Sequence, residues 1–107
     1  MEGKFARFKT AQHAHTNVGK AALNMWVRTT SYLWAKQYGI AQVAVCTGWC
    51  SAMHARGSKQ WDDDFETPLT CEDGASRILD PLLGVESGTY AEPFFGVFLK
   101  DYKTSAW

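Results

Sequence analysis

The stretch Asn24–Lys36, NMWVRTTSYLWAK, decides between two architectures for this chain. At about 100° per residue, and extended to Gly19–Tyr38, it gathers Ala22, Leu23, Trp26, Val27, Thr30, Leu33, Trp34 and Tyr38 on one side. Asn24, Arg28, Ser31 and Ala35 then fall opposite, so the expected buried face is the aromatic one. Thr29, Thr30 and Ser31 are weak helix formers that also suit a strand, and a strand here would imply an all-β small barrel. The flanks favour the helix. Thr16 or Asn17 can cap its start, Lys36 complements the dipole in the last turn, and Gly39 follows as a stop signal.

Working outward, Ile40–Cys46 (IAQVAVC) is apolar and rich in β-branched residues, as a strand covered on both faces would be. Lys4–Thr10 (KFARFKT) alternates enough for a short first strand. Thr70 opens a capping-box pattern with Asp73 at the fourth position and Glu72 beside it. Ala75, Ile78, Leu79, Leu82 and Leu83 then suit a short helix that Pro81 bends or ends. Ser87-Gly88 and Glu92-Pro93 mark turns, and Phe94–Tyr102 reads as a long strand, so the C-terminal half looks like a hairpin completing a sheet. The expected fold is α+β: a small, mostly antiparallel sheet with one long and one short helix on one face. With no linker or repeat in view, residues 1–107 are expected to form one domain.

Composition removes several classes. The chain is 46% hydrophobic and 14% aromatic, too apolar for a disordered segment. Its net charge of zero hides a split: residues 1–60 hold eight Lys/Arg against Glu2 alone, while residues 61–107 hold ten acidic side chains against Arg77, Lys100 and Lys103. The first residues carry charge but no apolar run of a secretory leader, and no stretch approaches the roughly 20 apolar residues of a membrane span. Three cysteines, an odd number, match no disulfide framework of a secreted mini-protein, although one intramolecular bond with a thiol left over remains open. The expectation is a cytosolic protein without a membrane partner.

Two chemical constellations stand out. Cys46, Cys50 and His54 recur every fourth residue, and with His13 and His15 they offer the thiolate and imidazole ligands that zinc takes. The spacing departs from paired zinc cysteines, and Gly48 interrupts the helix that would align them, so the economical reading is packing rather than metal. The same residues also form a weak nucleophilic pair, Cys50 with His54 as base, for a small thiol- or metal-dependent hydrolase. His13-Ala14-His15 is similar to the His-hydrophobe-His motif of HUH-type single-strand endonucleases, with Tyr32 and Lys36 in place of the nucleophile and its neighbour. That family sets its histidines on an interior strand after earlier sheet elements, whereas about a dozen residues precede them here. The chain is not assigned to it, and no cofactor is expected.

Asp62, Asp64 and Glu66 alternate like hard-cation ligands but lack the Gly and terminal Glu of a calcium loop, and read as a solvated acidic segment. Lys4, Arg7, Lys9 and Arg28, with Phe5 and Phe8, suggest a nucleic-acid accessory surface. A sequence pI of about 6.8 argues against that partner. Five tryptophans carry the leading expectation. Trp26 and Trp34 belong to the predicted helix, but Trp49, Trp61 and Trp107, with Tyr90, fall outside regular elements. Loop aromatics of this kind line ligand pockets or subunit interfaces. The sequence therefore points to a small binding or accessory protein, a homodimer with an aromatic-lined pocket or interface that a small molecule could occupy.

Overall fold

The computed structural model describes residues 2–6, 8–50, 67–90 and 94–107. A short 3-10 turn at Ala11–His13 leads into α1, Ala14–Tyr38. β1 (Ala44–Cys46), α2 (Cys71–Glu86), β2 (Phe98–Lys100) and β3 (Lys103–Ser105) follow. The three strands lie in the order β1-β2-β3. β1 and β2 run parallel because α2 supplies the crossover between them, while β2 and β3 are antiparallel because two residues join them. The chain is α+β with one long helix and a small open sheet, not a closed barrel.

Asn24–Lys36 is therefore helical, and Gly39 ends it as its composition requires. Gly39 takes φ 66°, and its N–H and that of Ile40 donate to Ala35 and Trp34. The start differs from expectation. Neither Thr16 nor Asn17 caps α1; His13 occupies that position without a side-chain bond. Asn17 lies inside the helix, where its Nδ2 donates to the His13 carbonyl at 2.9 Å and its Oδ1 accepts the Gly3 N–H at 3.0 Å. The N-terminal segment is consequently pinned across α1 in turns, and the described part of Lys4–Thr10 contains no strand. A Cβ on Gly3 would lie 2.6 Å from that of Lys20, so only glycine permits this approach.

The face that α1 buries is the second departure. Asn17, Ala21, Asn24, Val27, Thr30, Ser31, Trp34 and Ala35 turn inward, whereas Leu23, Trp26, Leu33 and Tyr38 are about half exposed or more. The covered side is rotated by roughly a quarter turn from the aromatic side that periodicity favours. Close backbone approach is the cause. Gly96 sits over Ser31, where an added Cβ would be 2.7 Å from the Ser31 Oγ, and Ser31 is only 3% exposed. Thr30 Oγ1 meets Gln42 Oε1 at 2.8 Å, and the Gly96 N–H donates to the Gln42 carbonyl. Small and polar side chains let α1 lie this close to the chain around the sheet. Bulky ones would hold it away.

α2 begins as its sequence states. Thr70 accepts from the Asp73 N–H at 3.1 Å while the Asp73 carboxylate accepts from the Thr70 N–H at 2.9 Å. These backbone and side-chain bonds hold the Asp73 carboxyl below its ordinary pKa. Pro81 neither ends the helix nor is exposed; α2 continues to Glu86 with Gly74, Pro81 and Gly84 buried. Here too the apolar side faces out, with Ile78, Leu79, Leu82 and Leu83 between 50% and 65% exposed. Both helices contact β1. Phe98 and Leu99 of β2 are the buried apolar residues among those described. Phe94–Tyr102 is not one strand, because the chain reverses at Asp101-Tyr102.

Candidate functional site

The reversal between β2 and β3 needs positive φ at both of its residues, 50° at Asp101 and 62° at Tyr102. Such a two-residue loop ordinarily uses Asn-Gly or Asp-Gly, and each non-glycine residue held there costs about 1–2 kcal/mol. Arg77 of α2 supports both residues. Its guanidinium lies 3.8 Å from Asp101 Oδ1 and 5.3 Å from the centre of the Tyr102 ring, and one of its N–H groups donates to the Asp73 carbonyl. The same side chain keeps a buried Nε without a hydrogen-bond partner.

Beside this turn, α2 and the chain after it enclose an open groove of about 670 Å³, lined by Ser76, Leu79, Asp80, Leu83, Tyr90 and Tyr102 among others. Tyr90 is the best-fixed of these. Its ring stacks on Phe94 at 4.5 Å with a 9° interplanar angle, it lies against the bare Cα of Gly84, and its hydroxyl donates to Asp80 Oδ2 at 2.6 Å. That bond to a carboxylate, reinforced by burial and the negative charge, raises the Tyr90 pKa above its ordinary value. The groove therefore offers two phenol rings, two hydroxyl-bearing serines and the carboxylates of Asp80 and Glu86 beside leucine side chains. That set suits a ligand with an apolar body and a polar or cationic edge.

The other aromatic candidates lie elsewhere. Trp49 is half exposed on the loop after β1, where its carbonyl accepts from Leu69, and it does not line the groove. Trp107 packs on Phe98 with ring centres 6.0 Å apart, under the Arg28 guanidinium. Lys4 completes that cluster: it is 8% exposed, lies 4.6 Å from the centre of the Phe98 ring and donates to Ser105 Oγ. Trp61 falls outside the described residues. Of the three predicted aromatics among the described residues, only Tyr90 lines the groove. Tyr102 escaped the reading because the sequence placed it in a strand, and only the non-glycine hairpin turn exposes its ring.

The cysteine and histidine candidates divide similarly. His13 ends the 3-10 turn and faces Glu2 at 3.9 Å, while His15 is exposed in the first turn of α1. Successive helical residues diverge, so the two imidazoles do not share a side as they would on a strand. This also separates His13-Ala14-His15 from the strand-borne motif of the HUH endonucleases. Cys46 is half-buried in β1 opposite Lys100, and Cys50 packs against α2 at Gly74. His54, Arg7, Asp62, Asp64 and Glu66 lie outside the described residues. Among the described residues no group of three or more His, Cys, Asp or Glu side chains could hold a metal ion. No described helix is long and apolar enough to cross a membrane. No protein-family model matches the chain, and no curated protein or solved structure is significantly similar to it.

Proposed function

We propose that this chain is a small cytosolic binding protein that works as a homodimer, the outer face of α1 on one copy packing against the outer face of α2 on the other. One observation carries the reading: both helices leave most of their large apolar side chains exposed. On α1, Val18, Ala22, Met25, Thr29, Tyr32 and Lys36 follow a spacing of four and three residues, as in a helix-packing seam, with Trp26 and Leu33 beside it. Val18, Met25, Trp26, Tyr32 and Leu33 are 48–70% exposed, and Ile78, Leu79, Leu82 and Leu83 present a matching stripe on α2.

Apolar patches on monomers are ordinarily a few hundred Å², and two exposed apolar stripes on neighbouring helices make the broader kind of surface that partners cover. Charge selects the pairing. α1 carries Lys20, Arg28 and Lys36 with no acidic residue, whereas α2 carries Glu72, Asp73, Asp80 and Glu86 against Arg77 alone. Two copies of α1 would oppose like charges, while α1 on α2 brings unlike ones together. A two-fold axis makes the contact twice and covers both stripes. The groove at Tyr90 shares Leu79, Leu83 and Glu86 with this surface, so a small-molecule ligand held there would sit beside the partner helix.

Light scattering of the purified chain tests the reading. The wild type is expected to run as a dimer that weakens as salt is raised, and Met25→Glu as a folded monomer with unchanged helical circular dichroism. A wild type that stays monomeric at high concentration and low salt overturns it.

A further inference from the structure

Two cysteines far apart in sequence are brought to one place by backbone pairing. The segment after β1 and the segment leading into α2 run side by side: the Leu69 N–H donates to the Trp49 carbonyl at 3.2 Å. One residue beyond Trp49 and two beyond Leu69, the Cys71 Sγ lies 3.7 Å from the Cys50 carbonyl oxygen. The Cys50 thiol in turn rests on α2 three residues beyond Cys71, where a Cβ added to Gly74 would be 2.7 Å from its Sγ. Residues three apart on a helix share a face, with Cβ positions about 5–6 Å apart. Both cysteines therefore lie against the first turn of α2. Cys46 stands apart in the β1 ladder opposite Lys100, and all three thiols are free.

We propose that Cys50 and Cys71 form a dithiol site that exchanges with low-molecular-weight disulfides and closes into an intramolecular bridge, leaving Cys46 as the spare thiol. Cys71 is exposed and Cys50 half-buried, which sets the order of events. The Cys71 thiolate attacks one sulfur of the small disulfide, forming a mixed disulfide and expelling one small thiolate. The Cys50 thiolate then attacks the Cys71 sulfur and expels the second. Two protein thiols are oxidised, one small disulfide is reduced to two thiols, and the released protons pass to those leaving groups. Gly74 is a positioning residue, since its missing side chain is what leaves room for the Cys50 sulfur beside α2.

The test uses the full chain with glutathione disulfide as the probe, followed by alkylation of remaining thiols, intact-mass measurement and non-reducing peptide mapping. The expected product has lost two hydrogens, retains one alkylated thiol at Cys46, and yields a Cys50–Cys71 linked peptide. Cys46→Ser should bridge as the wild type does, while Cys50→Ser and Cys71→Ser should stop at mixed disulfides. Gly74→Ala tests the geometry with every thiol retained, and its bridging should be slowed while the mixed disulfide at Cys71 still forms. A bridge involving Cys46, a bond between copies, or three alkylated thiols in the treated wild type would each overturn the proposal.

Discussion

Adding a single methyl group to Gly84 probes how firmly Tyr90 is seated. A Cβ there would enter the van der Waals envelope of the Tyr90 ring at Cδ2 and Cε2. Restoring ordinary contact at 3.4–4 Å requires the ring to withdraw by more than about 1 Å. One face of the ring is covered by Phe94, and its hydroxyl is tied to Asp80 at 2.6 Å, so withdrawal disturbs the stack, the bond or both. Overpacking of this kind costs about 1–3 kcal/mol, and loosening the bond to the carboxylate adds to it. Replacing glycine by alanine inside a helix returns about 1 kcal/mol. The net expectation for Gly84→Ala is a loss of about 1–2 kcal/mol, or roughly 5–15 °C in Tm for a domain of this size.

Gly19→Ala is the matched control, because nothing lies within 4 Å of its added Cβ and α1 should gain about 1 kcal/mol. Thermal unfolding followed by circular dichroism compares the two at a fixed protein concentration. Opposite signs are expected. If Gly84→Ala stabilises as Gly19→Ala does, Tyr90 does not lie on α2 and the groove described beside it is not formed.

Three further outcomes follow from the same contacts. The Tyr90 pKa is raised in the folded chain, so its contribution is fully present below the ordinary tyrosine value and is lost as pH rises through the folded one. Spectrophotometric titration should show Tyr90 ionising above the ordinary tyrosine value, and Asp80→Asn should move it back. The Asp73 pKa is lowered, so its contribution is present above the ordinary carboxylate value and lost as pH falls below it. Thr70→Ala, which removes the cap at a cost of about 1 kcal/mol, should flatten that acid limb of the stability profile. Arg77→Met removes support from both turn residues and should destabilise by about 1–2 kcal/mol, with faster hydrogen exchange at Lys100–Lys103.

How much of this was legible depended on whether a signal was local. The Thr70–Asp73 capping box and the Gly39 stop involve residues within one turn of each other, and both were readable as letters. Helix rather than strand at Asn24–Lys36 was also readable, since the apolar spacing and both flanks agreed. Which side of α1 is covered was not. Periodicity ranks the sides by hydrophobicity, but Asn17, Asn24 and Ser31 turn inward because Gly3 and Gly96 approach them from distant parts of the chain. The groove was half visible: Tyr90 was picked out as a loop aromatic, while its partners Gly84 and Asp80 lie on α2 and Tyr102 depends on an unusual turn. The meeting of Cys50 with Cys71 left no trace in their spacing, because the Trp49–Leu69 backbone pairing creates it.

In the proposed dimer, the outward faces of α1 and α2 are covered by a second copy of the chain. Oxidative footprinting of Met25, Trp26 and Tyr32 across a protein dilution series reads that burial at the side chains themselves. Slow modification is expected when the protein is concentrated at low salt and faster modification on dilution or added salt, with exposed Phe8 reacting equally throughout. Reactivity of Met25, Trp26 and Tyr32 that is high and independent of concentration would contradict it.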